Sequence, residues 1–189
     1  MNKLAIISDI HGSLTGLERA LEQADREGAQ RILLLGDLLY HGPRNPLPDG
    51  YDPQEVANLL NARKAQIDLA VRGNCDAEVD QMLIEFSIMG EYAVLLQGSR
   101  KVFVTHGHHH HMDHLPDLLA GDVFMQGHTH IPVAETRSGI HLFNPGSVSL
   151  PKGGYPPSYG LLDEQGLLVK GLDGAELLRL DLNEADSGL

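Results

Sequence analysis

The sequence predicts an α+β chain of α/β/β/α type: a four-layer sandwich of two facing mixed β-sheets flanked by helices. Three observations lead there. The first half alternates short, branched apolar runs with amphipathic stretches, the rhythm of parallel strand–helix–strand units. The second half loses helical spacing and breaks into short strands separated by turn residues. Glycine reaches 21 of 189 residues, against an average of about 7%, so many tight backbone positions join the pieces.

Taken in order, Lys3–Ile7 reads as a buried strand that stops at Ser8-Asp9-Ile10-His11-Gly12. Ser13 is placed to cap a helix with Leu14, Leu17, Leu21 and Ala24 on one side and Gly28 at its end. A second strand, Arg31–Leu35, halts at Gly36-Asp37, and a Pro/Gly-rich loop runs from His41 to Pro53. Gln54–Lys64 reads as a helix and Ile67–Val71 as a third strand, ending at Arg72-Gly73-Asn74-Cys75-Asp76. Glu78–Glu85 is expected to be helical. Beyond it, Tyr92–Gln97, Lys101–Thr105, Asp122–Gln126, Val133–Arg137 and Ile140–Phe143 read as strands, with hairpin turns at Gly98-Ser99 and Ser138-Gly139. Tyr159–Asp163, Leu167–Gly171 and Glu176–Leu182 form a meander. No repeat or linker divides the chain, so one domain is expected over residues 1–182, with a flexible tail over 183–189.

Composition narrows the function classes. With 14 Lys and Arg against 26 Asp and Glu, the net charge is −12, which argues against bulk binding of duplex nucleic acid. No apolar run approaches the ~18–20 residues needed to cross a bilayer, and no secretory leader is recognisable. A single cysteine, Cys75, fits a reducing cytoplasm. Histidine, at 11 residues, points to metal or proton chemistry.

The chemistry-bearing residues fall at strand ends, where ligands collect in open α/β sheets. They are Asp9 and His11, then Asp37, Asn74, His106, and finally His128 and His130. All are hard or borderline donors suited to manganese, iron or zinc. Asp9-x-His11 and His128-x-His130 have a spacing by which an extended backbone would aim both side chains to one side. Gly12, Gly36, Gly73, Gly107 and Gly127 flank them, as sharp turns and close backbone approach require. One such pair is noise; the ordered set carries the signal.

In that order, D9-x-H11, G36-D37, G73-N74-x-D76, H106-G107-H108 and G127-H128-T129-H130 resemble the calcineurin-like metallophosphoesterase family, whose fold is a β-sandwich with helices on both faces. HGPRN at His41–Asn45, NPGS at Asn144–Ser147 and PKGG at Pro151–Gly154 further resemble its small bacterial YfcE-type phosphodiesterases. The resemblance implies two divalent metal ions, manganese foremost, with iron, nickel, zinc or magnesium as alternatives. Asp9, His11 and His130 would hold one ion; Asn74, His106 and His128 would hold the other; Asp37 would bridge them. A hydroxide activated by both ions would attack a phosphodiester. Two ions bring +4 against −2 from Asp9 and Asp37, so an anionic substrate can bind an acidic chain.

Cys75 stands where many relatives have a histidine that protonates the leaving group. An ordinary thiol, with a pKa of about 8.5, is a poor general acid at pH 7, so phosphodiesters should be preferred to phosphomonoesters. His41, Asn144 and Gly146 are expected near substrate, and Asp76 is expected to orient Asn74 or His106. The run His108–His111, with His114, reads as a solvated histidine patch in place of an ordinary loop. The expected partner is a small phosphodiester, with no membrane and a possible homo-oligomer. The competing functions are a nucleotide phosphomonoesterase and a non-catalytic protein-assembly scaffold of the same fold.

Overall fold

The structure, a computed structural model, describes residues 3–182; the tail expected at 183–189 lies outside the described residues. Strands β1 (Leu4–Ile7), β2 (Arg31–Leu34) and β3 (Ile67–Ala70) run parallel, each pair joined through a helix, α1 (Leu14–Arg26) or α2 (Pro53–Ala62). α1 starts where Ser13 Oγ accepts the Gly16 amide, satisfying an otherwise unpaired donor of the first turn, and it buries Leu17, Ala20, Leu21 and Ala24. Asp52 caps α2 in the same way through the Glu55 amide, with Pro53 pre-set at the first helical position. α2 ends at Ala62 and a 3-10 turn over Lys64–Gln66 feeds β3, so the helix expected to reach Lys64 is shorter. A six-residue helix, α3 (Glu78–Leu83), completes the helical elements of the described residues.

From β4 (Tyr92–Gln97) onward the chain is built of strands: β5 (Arg100–Thr105), β6 (Val123–Met125), β7 (Val133–Arg137), β8 (Ile140–Asn144), β9 (Ser158–Leu162), β10 (Gly166–Gly171) and β11 (Glu176–Asp181). Ser138 and Gly139 both have positive φ, the requirement of a two-residue hairpin turn, and join β7 to β8.

Two mixed sheets result, with strand orders β11-β10-β9-β1-β2-β3 and β4-β5-β6-β8-β7. The meander β9–β11 returns to lie antiparallel to β1, so the last strands complete the sheet that the first strand began. Ile6, Leu33, Val71, Val104, Met125, Phe143 and Val169 fill the space between the sheets. Alternate residues such as Ala5, Ile7 and Leu34 face the other way, onto α1 and α2. This is the inward/outward alternation of a pleated strand buried on both sides. On the outer face of the second sheet, Met112, Leu115 and Leu118 of the β5–β6 connection pack against Phe103, Phe124 and Leu142. The ends of β1, β2, β3, β5 and β6 lead into the loops that carry the polar residues singled out above. No helix of the described residues is long and apolar enough to cross a membrane.

Candidate metal centre

The β1, β2 and β6 exits bring Asp9, His11, Asp37, His128 and His130 to one place with their backbones in an unusual state. All five have φ between +50° and +66°. Only glycine adopts this left-handed region freely; for other residues it costs about 1–2 kcal/mol each. The two spaced pairs therefore do not lie on extended backbone, as their spacing suggests. Each residue instead turns its chain sharply, which sets Asp9, His11 and His130 together and His128 beside His106. Glycines make room for this. A Cβ on Gly73 would stand 2.0 Å from Asp37 Oδ1, and one on Gly127 would stand 1.9 Å from Ser8 Oγ.

Backbone carbonyls set the histidine rings. His11 Nδ1 meets Tyr40 O at 2.9 Å, His106 Nδ1 meets Leu35 O at 2.6 Å, and His130 Nδ1 meets Leu150 O at 2.6 Å. A carbonyl only accepts, so each Nδ1 carries a proton and donates it, and each Nε2 is left to face the cluster. There His11 Nε2 and His130 Nε2 are 3.2 Å apart. His130 Nε2 lies 3.2 Å from Asp9 Oδ1. Asp37 Oδ2 lies between the two halves, 3.6 Å from His11 Nε2 and 3.4 Å from His106 Nε2. Asn74 Oδ1 stands 3.2 Å from His106 Nε2. The His128 ring lies 5.1 Å from the His106 ring, centroid to centroid.

The remaining oxygens are spoken for. Asp9 Oδ2 accepts from Ser8 Oγ and the His128 amide, Asp37 Oδ1 accepts the Cys75 amide, and both Ser147 and Ser149 hydroxyls bond the Asp9 carbonyl. Asp9 Oδ1, by contrast, is buried and receives no hydrogen bond. Such an orphaned carboxylate oxygen, ringed by imidazole Nε2 atoms, is the donor arrangement a cation satisfies. Two groups here, Asp9 with His11 and His130, and Asp9 and Asp37 with His106, each bring their ligand atoms within 4.8 Å of one another. The residues fit a pair of divalent metal ions.

Charge tells the same story. Burial pushes Asp9 and Asp37 up, but the neighbouring histidines overcome it, holding Asp37 low and Asp9 well below the usual carboxylate range. Burial opposes a charge on His106, yet Asp37 and Asp9 lift it to about 9. Positive charge is thus favoured on His106 and, with burial again outweighed by Asp9 and Asp37, on His11, whether a proton or a metal supplies it.

The centre opens into a cleft of about 660 Å³, walled by Gly42–Pro46, Asn74, Cys75, Thr129 and Lys152. Of the residues expected near substrate, none is among these walls. His41 packs its ring edge-on against Tyr40 and Tyr51 instead. Asn144 is fully buried; its amide donates to Gly127 O and Thr129 Oγ1, and its oxygen accepts the Gly146 amide. Asn144 and Gly146 thus shape the loop that carries His128 and His130 from behind. Asp76 does not touch Asn74 or His106. Its carboxylate accepts the amides of Asp37, Leu38 and Gly73, tying two metal-site loops together. Arg44 and Lys152 line the cleft and were not singled out in the sequence, although both sit in the motifs HGPRN and PKGG. Burial, with Asp37 next, pushes the Cys75 thiol up to about 12, so it stays protonated.

Comparison with known proteins agrees with this geometry. The calcineurin-like phosphoesterase superfamily domain matches residues 2–166. Phosphodiesterase YfcE of Escherichia coli K12 is 51% identical over 178 residues, spanning 94% of this chain and 96% of the relative. A solved structure of YfcE, described as a phosphoesterase from E. coli, superposes with a TM-score of 0.93 at 50% identity and covers 96% of this chain and 100% of that one. The probable metallophosphoesterase YsnB of Bacillus subtilis is 35% identical, over 86% of this chain and 83% of its own. With its strand-end Asp, Asn and His residues gathered at the floor of one cleft, the chain belongs to the calcineurin-like phosphoesterase superfamily, in its YfcE-type branch.

Proposed function

We propose that this chain is a divalent-metal phosphodiesterase acting on small phosphodiesters. One observation carries the reading: the Nε2 atoms of His11, His106 and His130 converge on the acidic oxygens of Asp9 and Asp37 at the floor of an open cleft. Asp9, His11 and His130 are assigned to one ion and Asn74, His106 and His128 to the other, with Asp37 between them. Two divalent ions held by these residues would supply a water of lowered pKa and positive charge to neutralise phosphoryl oxygens. The protein's own part is to hold that pair in register. The three backbone carbonyls keep the imidazoles from turning, and Asp76 keeps the Asp37 and Gly73 loops at a fixed separation. Arg44 and Lys152 supply fixed positive charge to the non-reacting arm of a diester.

The Cys75 thiol, with its raised pKa, is a weak proton donor to a leaving group, which favours diesters with easily departing arms over monoesters. Manganese is the expected metal, since the donors are hard carboxylate oxygens and borderline imidazoles. The lone cysteine and the acidic balance fit a cytoplasmic enzyme that does not bind bulk nucleic acid, working as one domain, alone or as a homo-oligomer. The test is a matrix of manganese, iron, nickel, zinc and magnesium against activated aryl diesters, cyclic nucleotides, dinucleotides and glycerophosphodiesters. Turnover of diesters in the manganese row is expected. No turnover in any metal row would overturn the reading.

A further inference from the structure

The histidine run on the β5–β6 connection does not form one patch. His110 packs edge-on against Tyr92 and Phe103. His111 pairs with His114 through a backbone bridge and a ring contact at 6.1 Å. His108 and His109 instead turn toward Glu91, just before β4. Their rings lie 4.0 Å apart, and Glu91 Oε2 is 2.8 Å from His109 Nδ1 and 3.9 Å from His108 Nε2. The three ligand atoms all lie within 4.8 Å of one another.

We infer that Glu91, His108 and His109 form a further cation site, separate from the central cluster and suited to zinc. The donor set supports it: two imidazoles and a carboxylate leave a fourth position open, as in many His/His/Glu zinc sites. Ligands at zinc bond lengths of ~2.0–2.1 Å and tetrahedral angles stand about 3.4 Å apart. The two Glu91 distances, 2.8 and 3.9 Å, bracket that value. A plain ion pair between His109 and Glu91 explains one contact but leaves the second ring idle. His108 Nδ1 is buried with no hydrogen-bond partner, so no hydrogen bond at that nitrogen, among the described residues, holds the ring away from Glu91. Arg72 approaches the other Glu91 oxygen, Oε1, at 3.5 Å, which leaves Oε2 to the histidines. The site abuts the centre: the His108 ring lies 5.4 Å from that of His106 and 6.3 Å from that of His128.

The site is read as a difference in zinc content, so the result does not depend on how many ions the central cluster holds. The metal-free chain is dialysed to equilibrium against zinc, and bound zinc per chain is measured. The double variant Glu91→Gln/His109→Gln alters half-exposed and exposed side chains at 42% and 62%, positions at which substitution is usually tolerated. It is expected to bind one zinc fewer than the unaltered chain. The triple variant His110→Gln/His111→Gln/His114→Gln is expected to bind as many as the unaltered chain. Equal zinc in the double variant and the unaltered chain overturns the inference. So does an equal loss in the triple variant, which would mean diffuse binding by the whole run.

Discussion

Two groups of histidines sit side by side in this molecule and differ in almost everything except residue type. His11, His106 and His130 are buried, each with Nδ1 pinned to a backbone carbonyl, and two of them sit on left-handed backbone. His108–His111 and His114 occupy a loop, and none of them has a carbonyl partner in the described contacts. His109 is 62% exposed and meets a surface carboxylate and the His108 ring, while His110 rests on an aromatic face. The difference teaches that histidine count marks a region, whereas a carbonyl on the second ring nitrogen marks a ring that the fold has oriented before any ion binds. A pinned ring loses its rotational freedom during folding, before any ion arrives, so binding costs less.

Breaking the pinned group should have the largest effect. Asp37→Asn keeps the shape and the Cys75 amide contact but removes the negative charge between His11 and His106. Diester turnover with manganese is expected to fall by about 10³-fold or more, as when a transition-state stabiliser is lost, while the thermal transition persists. Retained turnover would remove Asp37 from the centre. Next, Asp76→Ala leaves three buried amides without an acceptor. At about 1–3 kcal/mol for an unsatisfied buried group, denaturant titration should show a loss of several kcal/mol, together with weakened metal retention. A neutral result would mean that water replaces the carboxylate.

Proton competition sharpens the comparison further. In the metal-free chain His106 keeps its proton up to about 9 because Asp37 and Asp9 outweigh the cost of burial. An incoming cation must displace that proton, so manganese affinity should rise between pH 7 and 9 and flatten above. Calorimetry in buffers of different ionisation enthalpy reads the released proton directly; release of none at pH 7 contradicts the assignment. A smaller effect is expected at the cleft wall. Cys75→His introduces a group that titrates near neutrality, and phosphomonoester turnover should rise by about 10-fold to 10²-fold. No change would show that the leaving group departs without help from this position. The smallest effect belongs to the unpinned run, where His111→Ala should alter stability by less than about 0.5 kcal/mol and leave turnover unchanged.

The parallel strand–helix units, the hairpins and the C-terminal meander were legible because apolar period and turn residues are local signals. The helix expected over Glu78–Glu85 is cut to Glu78–Leu83, since boundaries depend on capping contacts that no single residue announces. That Asp9, His11, Asp37, Asn74, His106, His128 and His130 would gather in one place was legible from their type, order and position at strand ends. Asn144 and Gly146 were misplaced because a loop motif does not say which of its faces meets the cleft. Arg44 and Lys152 carried no chemistry of their own in the sequence; only the closing of the two loops sets them on one rim.

What the linear chain determined by itself, then, was the inventory: which strands exist, which donors end them, and that those donors suit a divalent cation. Tertiary structure alone decided the left-handed backbone at five of those positions, the carbonyl that pins each ring, and the carboxylate oxygen left unsatisfied. It also decided that Glu91, distant in sequence, would face His108 and His109. The reason is physical. Hydrophobic periodicity is written over a few neighbouring residues, whereas a hydrogen bond between Asp76 and the Asp37 amide, or between His130 and Leu150, exists only after two sheets have packed and brought remote loops within 3 Å.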